Sequence, residues 1–265
     1  MGERRKTMKK LMVGIMVMVL TFGLASMTLA EEDEGIGFNF TTKYHPSGWI
    51  DAVGWRTPRS MFLTEVSQDL PHGFYAYIWN LTGLEESGAD ETDYNVGKTG
   101  EFSLADVVLN YDIGFGYWDL RNRFSSGGPQ TDYWNFWAEF GHEFQPVKNL
   151  NFLSYVRLEY LEPVQSNGEF SEGGFFTALG LRQEWEVGKI IFPLTIETDA
   201  RVVYDSGLYG GETAFIGRLT IQASWQVKEH LAFIFGADSS QPLAGNLEDG
   251  RGTELVAWAG ISLSI

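Results

Sequence analysis

From residue 35 to residue 265 the chain alternates apolar and polar side chains at period two, in segments of about ten residues. That period belongs to strands, because successive side chains of a strand point to opposite faces of the sheet. Twelve segments can be counted, at about 35–44, 60–68, 73–81, 91–98, 104–117, 134–144, 150–160, 174–185, 192–204, 215–226, 231–238 and 254–265. Ten or fourteen are also compatible, since the segments between residues 60 and 98 are short and weakly phased. The clearest sets Val107, Leu109, Tyr111, Ile113, Phe115 and Tyr117 against Asp106, Val108, Asn110, Asp112, Gly114 and Gly116. The last puts Leu255, Ala257, Ala259, Ile261, Leu263 and Ile265 on one row and Val256, Trp258, Gly260, Ser262 and Ser264 on the other.

Alternation suits a soluble sandwich as well as a barrel, so the large side chains must decide. Tyr44, Trp79, Tyr117, Trp134, Tyr160 and Tyr204 fall beside long connections, and Phe144, Trp185, Trp225 and Phe233 beside short turns. Two aromatic belts at opposite ends match the two interfaces of a bilayer, whereas a sandwich core would place its aromatics in the middle. The connections sort the same way, long ones on one rim and short ones on the other. The expected fold is all-β: a transmembrane antiparallel up-and-down β-barrel of about twelve strands.

The N-terminus agrees with export. Arg4, Arg5, Lys6, Lys9 and Lys10 precede twenty uncharged residues, 11–30, which end Thr28-Leu29-Ala30 before an acidic run. This layout predicts a signal peptide over 1–30, cleaved after Ala30, and a barrel over 31–265; an uncleaved membrane anchor is the alternative. No later apolar stretch approaches helical span length, so insertion of the remainder must use strands. Loss of the leader removes five bases and one acid, taking the formal charge from −16 to −20. Such acidity disfavours nucleic acid and favours cations or polar solutes. Cysteine is absent, which excludes disulfides, thiol chemistry and thiolate metal sites.

The ending G-x-x-L-x-I, from Gly260 to Ile265, resembles the C-terminal strand of bacterial outer-membrane β-barrels. That resemblance implies pairing with the first strand, recognition by the barrel-assembly machinery, and residence in the outer membrane among its lipids. Ile265 stands where that family usually has Phe or Trp. The stretches SQDLPHGFYAYIW, ETDYNVG and NYDIGFGY, about a third of the chain, resemble short TorF-like porins; these motifs transfer no site residue.

The inward rows carry charges at similar depth. Glu139, Arg157, Arg182, Glu197 and Arg218 fall about five to nine residues from the short-turn rim, and Asp93, Asp106 and Asp112 add an acidic wall without a base. These eight are the candidate pore-lining residues. An acidic wall facing an arginine wall would sort solutes by charge and dipole. The same charges can instead seal the interior as ion pairs, since eight strands fill and sixteen leave a channel. The expected function is a porin-like channel for passive diffusion of ions or small polar solutes, without catalysis, cofactor or metal. The alternatives are a plugged barrel with a structural or adhesive role, or a lipid-modifying hydrolase.

The enzyme alternative rests on His45-Pro46-Ser47, the only His-x-Ser beyond the leader. The outer-membrane phospholipase A, a twelve-stranded barrel, uses such a pair on one outward strand face. Pro46 removes a ladder donor between the two and favours a loop. His142 reads as an outward residue near the headgroups, and His72 and His230 as isolated turn residues unsuited to zinc. Glu197 and Asp199 belong to the ion-pair belt and not to a glycosidase pair. The sequons at Asn39 and Asn80 are chance matches. Acidic loop residues Glu85, Glu86, Asp90, Glu172, Glu248 and Asp249 suit solvation or divalent cations that bridge lipid headgroups.

Overall fold

The structure is a computed structural model that describes residues 37–57, 59–84, 90–121, 132–164, 173–189, 193–208, 212–244, 247–248 and 250–264. The expected leader, the loop acids Glu85, Glu86, Glu172 and Asp249, and the apolar-row residues Phe192 and Ile265 lie outside the described residues.

Fourteen strands are described: β1 (Phe38–His45), β2 (Trp49–Ile50), β3 (Arg56–Thr57), β4 (Met61–Asp69), β5 (Phe74–Gly83), β6 (Asp90–Leu104), β7 (Val107–Arg121), β8 (Tyr133–Val147), β9 (Leu150–Pro163), β10 (Gly174–Lys189), β11 (Pro193–Asp205), β12 (Ala214–Lys228), β13 (Leu231–Pro242) and β14 (Glu254–Ser264). Twelve of them, all but β2 and β3, close into one antiparallel barrel. Closure is made by β1 on β14, with Phe40 opposite Leu263 and Thr41 opposite Ser262. No edge is left, so the backbone groups of each strand are paired within the barrel, which a bilayer requires. β6 to β12 run 13 to 16 residues, more than the roughly 9–11 that a tilted strand needs to cross.

The outer face is the apolar row read from sequence. Phe115, Phe136, Leu158, Leu179, Leu219, Ile221 and Phe235 are all exposed there. In water that surface would be a strong aggregation liability, and in lipid it is matched. Short turns lie on one rim: Pro71–Gly73 as a 3-10 turn, then residues 105–106, 148–149 and 229–230. His72, Ala105 and Asn149 take positive φ values of 63°, 54° and 64° in these turns.

Two expectations about position change. Residues 99–103, read as a connection, and Leu104, read as opening the next strand, continue β6 and pair with β7 up to Leu104 opposite Val107. The turn is therefore Ala105 and Asp106, and Asp106 stands exposed at the short-turn rim, not in the mid-barrel wall. Trp79 points inward and not into the aromatic belt, because β5 turns Tyr75, Tyr77 and Trp79 to the lumen.

The buried core sits inside the barrel, at the long-loop end. Residues 46–57 fold back into the lumen, where β2 and β3 pair as a two-stranded ribbon. Ile50 and Val53 are each 2% exposed, and Val53 joins a cluster with Leu120, Tyr133, Tyr155, Leu161, Phe176, Val203 and Ile216. On the opposite side Trp49 packs on Met61, Leu63, Leu81 and Trp79. The turn is held locally. Asp51 Oδ1 accepts from the backbone N–H of Val53 (3.1 Å) and Trp55 (2.8 Å), and Gly54 takes φ +90° directly against Ile216.

Candidate functional site

Below the infolded segment lies a cavity of about 670 Å³, lined by residues of all the barrel strands and bounded at the top by residues 49–53. A second cavity of about 430 Å³ opens toward the short-turn rim beside β1 and β11 to β14, and Lys43, Leu63, Glu65 and Trp79 border both.

The charges occur as linked groups. Glu139 and Arg157 are direct cross-strand neighbours on β8 and β9, 3.6 Å apart at Nη1, and Arg182 Nη1 reaches Glu139 at 3.4 Å. Arg157 Nε also donates to Glu159 at 2.8 Å, so two arginines share two carboxylates with one at the centre. Arg201 pairs with Asp199 at 3.1 Å, and Tyr155 donates to the same carboxylate at 2.7 Å. Asp112 accepts from Tyr75 Oη (2.5 Å) and Trp137 Nε1 (3.2 Å). Asp238 accepts from Thr220 (2.7 Å) and Trp258 Nε1 (2.9 Å).

Of the eight residues singled out from sequence, the fold brings Glu139, Arg157 and Arg182 into one cluster. It sets Asp93 and Asp112 on the inner faces of β6 and β7. Glu197 lies lower, accepting from Gln222 Nε2 at 3.4 Å, and Asp106 is at the rim. Arg218 departs from the expected arginine wall: it donates to the backbone carbonyls of Asp51 and Ile50 and so anchors the infolded segment.

Several residues of the lumen escape a reading of rows. Lys43 reaches from β1 past β14 and β13 to donate to Gln222 of β12 at 3.2 Å, with its Nζ 4.1 Å from the Trp258 ring centre. Its place on the inner row of the first strand was the available signal. Glu65 and the three aromatics of β5 were hidden because both rows of β4 and β5 hold apolar residues, leaving their facing undecided. Arg251 sits in a connection, where alternation says nothing, and Asp205 is the last residue of β11, beyond the segment read from the sequence.

His45, the last residue of β1, is buried with its ring 6.1 Å from that of Trp258. This is the lumen side, whereas a phospholipase-type pair works on the lipid face. Ser47 stands in the following turn, its carbonyl accepting from Arg56 at 2.8 Å. His142 faces outward beside Phe144, its Nδ1 2.9 Å from the Val108 carbonyl oxygen. Among the described residues no three His, Asp or Glu side chains come together as a metal-holding group.

No family model matches the chain, and no curated protein matches it in sequence. Among solved structures it is similar to a bacterial polysaccharide outer membrane secretin, 5% identical, covering 89% of this chain and 99% of that one with a TM-score of 0.50. It is also similar to the NanC porin, 10% identical over 85% of this chain and 98% of that one, with a TM-score of 0.52. At these identities the likeness is one of fold. The fold is that of bacterial outer-membrane β-barrels, and the apolar outer face and closed ladder agree with it.

Proposed function

We propose that this barrel is a narrow diffusion channel of the outer membrane, passing ions and small polar solutes with a preference for cations. The observation that carries the reading is the 670 Å³ cavity itself, whose wall holds eight carboxylates against four Lys and Arg side chains among the described residues. Low-dielectric walls of one net sign concentrate the opposite charge and raise its rate of entry. The infolded segment 46–57 narrows the long-loop end, and the Glu139–Arg157–Arg182 cluster sets a transverse field part-way down. Proteoliposomes containing the refolded protein should swell faster in isotonic lysine than in isotonic glutamate, and faster than empty liposomes in both. Equal rates in the two solutes would remove the cation preference.

A second reading, a plugged barrel with a structural role, is favoured by one observation: the infolded segment is seated in an apolar cluster and tied to the wall by its own Arg56 to Glu254 and by Arg218 and Arg251 to its carbonyls. Swelling no faster than in empty liposomes would select it.

A further inference from the structure

The wall formed by β5 to β9 is aromatic as well as acidic. Inward positions of an outer-membrane barrel are ordinarily polar, because they meet water. On β5 the inward row is Tyr75, Tyr77 and Trp79, and Tyr77 continues onto Trp137 of β8 with ring centres 6.4 Å apart. Register places carboxylates among these rings, Asp93 opposite Trp79 and Glu159 opposite Trp137. Asn135 lies two residues before Trp137 on the same face. It is 2% exposed, lines the same cavity, and its Oδ1 meets no donor among the described residues. A buried amide oxygen without a donor is costly, and an N–H brought by a ligand would remove that cost.

Charge decides what kind of ligand fits. The four basic side chains of the cavity are already engaged: Lys43 with Gln222, Arg157 with Glu159, Arg201 with Asp199, and Arg218 with the carbonyls of Ile50 and Asp51. An anion would have to displace one of these partners. The protein's own cations show how a positive group is accommodated here. Lys43 lies over Trp258 and Arg157 over Trp137 at 5.9 Å, each on an aromatic face of the cavity wall.

We propose that the cavity beneath the infolded segment is a binding site for a small organic cation, a primary amine with an apolar body. The ring faces of Tyr77 and Trp79 take the body, and Asp93 and the Asn135 carbonyl take the ammonium, with Glu159 left to Arg157. The inference builds on the channel reading and names its solute class.

Calorimetric titration of the refolded full chain in detergent tests it, with 2-phenylethylamine and the matched carboxylate 3-phenylpropionate as probes. The amine should bind saturably and at least about tenfold tighter than the carboxylate. Asp93→Asn and Tyr77→Leu should each weaken the amine about fivefold to tenfold, in proteins whose heat-modifiable migration is unchanged. Equal affinity for both probes, no binding of the amine, or full affinity in the Asp93→Asn protein would overturn the site. Binding needs no current, so the two readings fail separately. A barrel that binds the amine but stays silent in a bilayer keeps the site and loses the channel, and one that conducts but binds no amine loses the site alone.

Discussion

Arg251 and Asp205 form an ion pair of 2.5 Å with side chains 1% and 0% exposed, at the junction of two long connections and the infolded segment. Arg251 Nη1 also donates to the Val53 carbonyl at 3.2 Å and Nη2 to that of Glu212 at 2.5 Å, and its guanidinium lies over Trp55. Asp205 Oδ1 accepts from the backbone N–H of Gly207 and Leu208 at 3.0 and 2.9 Å. Removing one partner leaves the other charge buried and unpaired, which costs about 3–5 kcal/mol. Asp205→Asn should therefore lower stability by about that amount, read as a reduced urea midpoint in lipid vesicles. It should also make residues 46–57 accessible to protease from the long-loop side.

The Glu139 carboxylate holds two arginines at 3.6 and 3.4 Å. Glu139→Gln keeps the shape and removes the charge, so Arg182 loses the ion pair described for it while Arg157 keeps Glu159. Cation preference should fall, by about twofold to fivefold in permeability ratio for one partly screened unit charge. The reversal potential under a salt gradient measures the shift. A change toward cations would contradict the assigned position.

Trp137 packs against Gly114 of the neighbouring β7, close enough that a Cβ there would collide with its ring and with the Val96 carbonyl. Gly114→Val should drive the indole out of place, breaking its bond to Asp112, at a cost of about 1–3 kcal/mol. Tryptophan fluorescence and the unfolding midpoint report the two effects together.

Closure itself can be tested with a bond. Thr41 and Ser262 are partners across the β1–β14 seam, with hydroxyls 3.0 Å apart. Directly opposed residues have separations of about 4.5–5.5 Å between Cα atoms, within disulfide range. The chain has no cysteine, so Thr41→Cys with Ser262→Cys gives an isolated pair. Mild oxidation of the folded protein should join them nearly completely, and oxidation in urea should not.

Period two made the barrel legible. Most of the wall strands, a count centred on twelve and the sorting of long and short connections follow from alternation, which a bilayer enforces by making one row apolar throughout. Rows failed where both faces are apolar. On β5, outward Ile78 and inward Tyr77 and Trp79 give no contrast, so the aromatic wall was unreadable. Asp106 was misplaced because the alternation of 107–117 runs back without interruption to Leu104 in the sequence, whereas the turn falls after Leu104 at Ala105, with φ 54°. The infolded segment did leave a trace. Trp49, Ile50, Val53 and Trp55 are too apolar for a solvated loop, and Gly48 and Gly54, both at positive φ, permit the reversal. Its anchor Arg218 looked from sequence like one more charge of the belt, because only the fold brings residues 50 and 51 to it.

The most direct test of the account is single-channel recording of the refolded protein in a planar bilayer. It predicts discrete openings of small amplitude, a cation-selective reversal potential, and larger openings in Arg218→Met, where the carbonyls of Ile50 and Asp51 lose their donor. A folded, heat-modifiable barrel that shows no openings in either protein would contradict it and leave a closed scaffold.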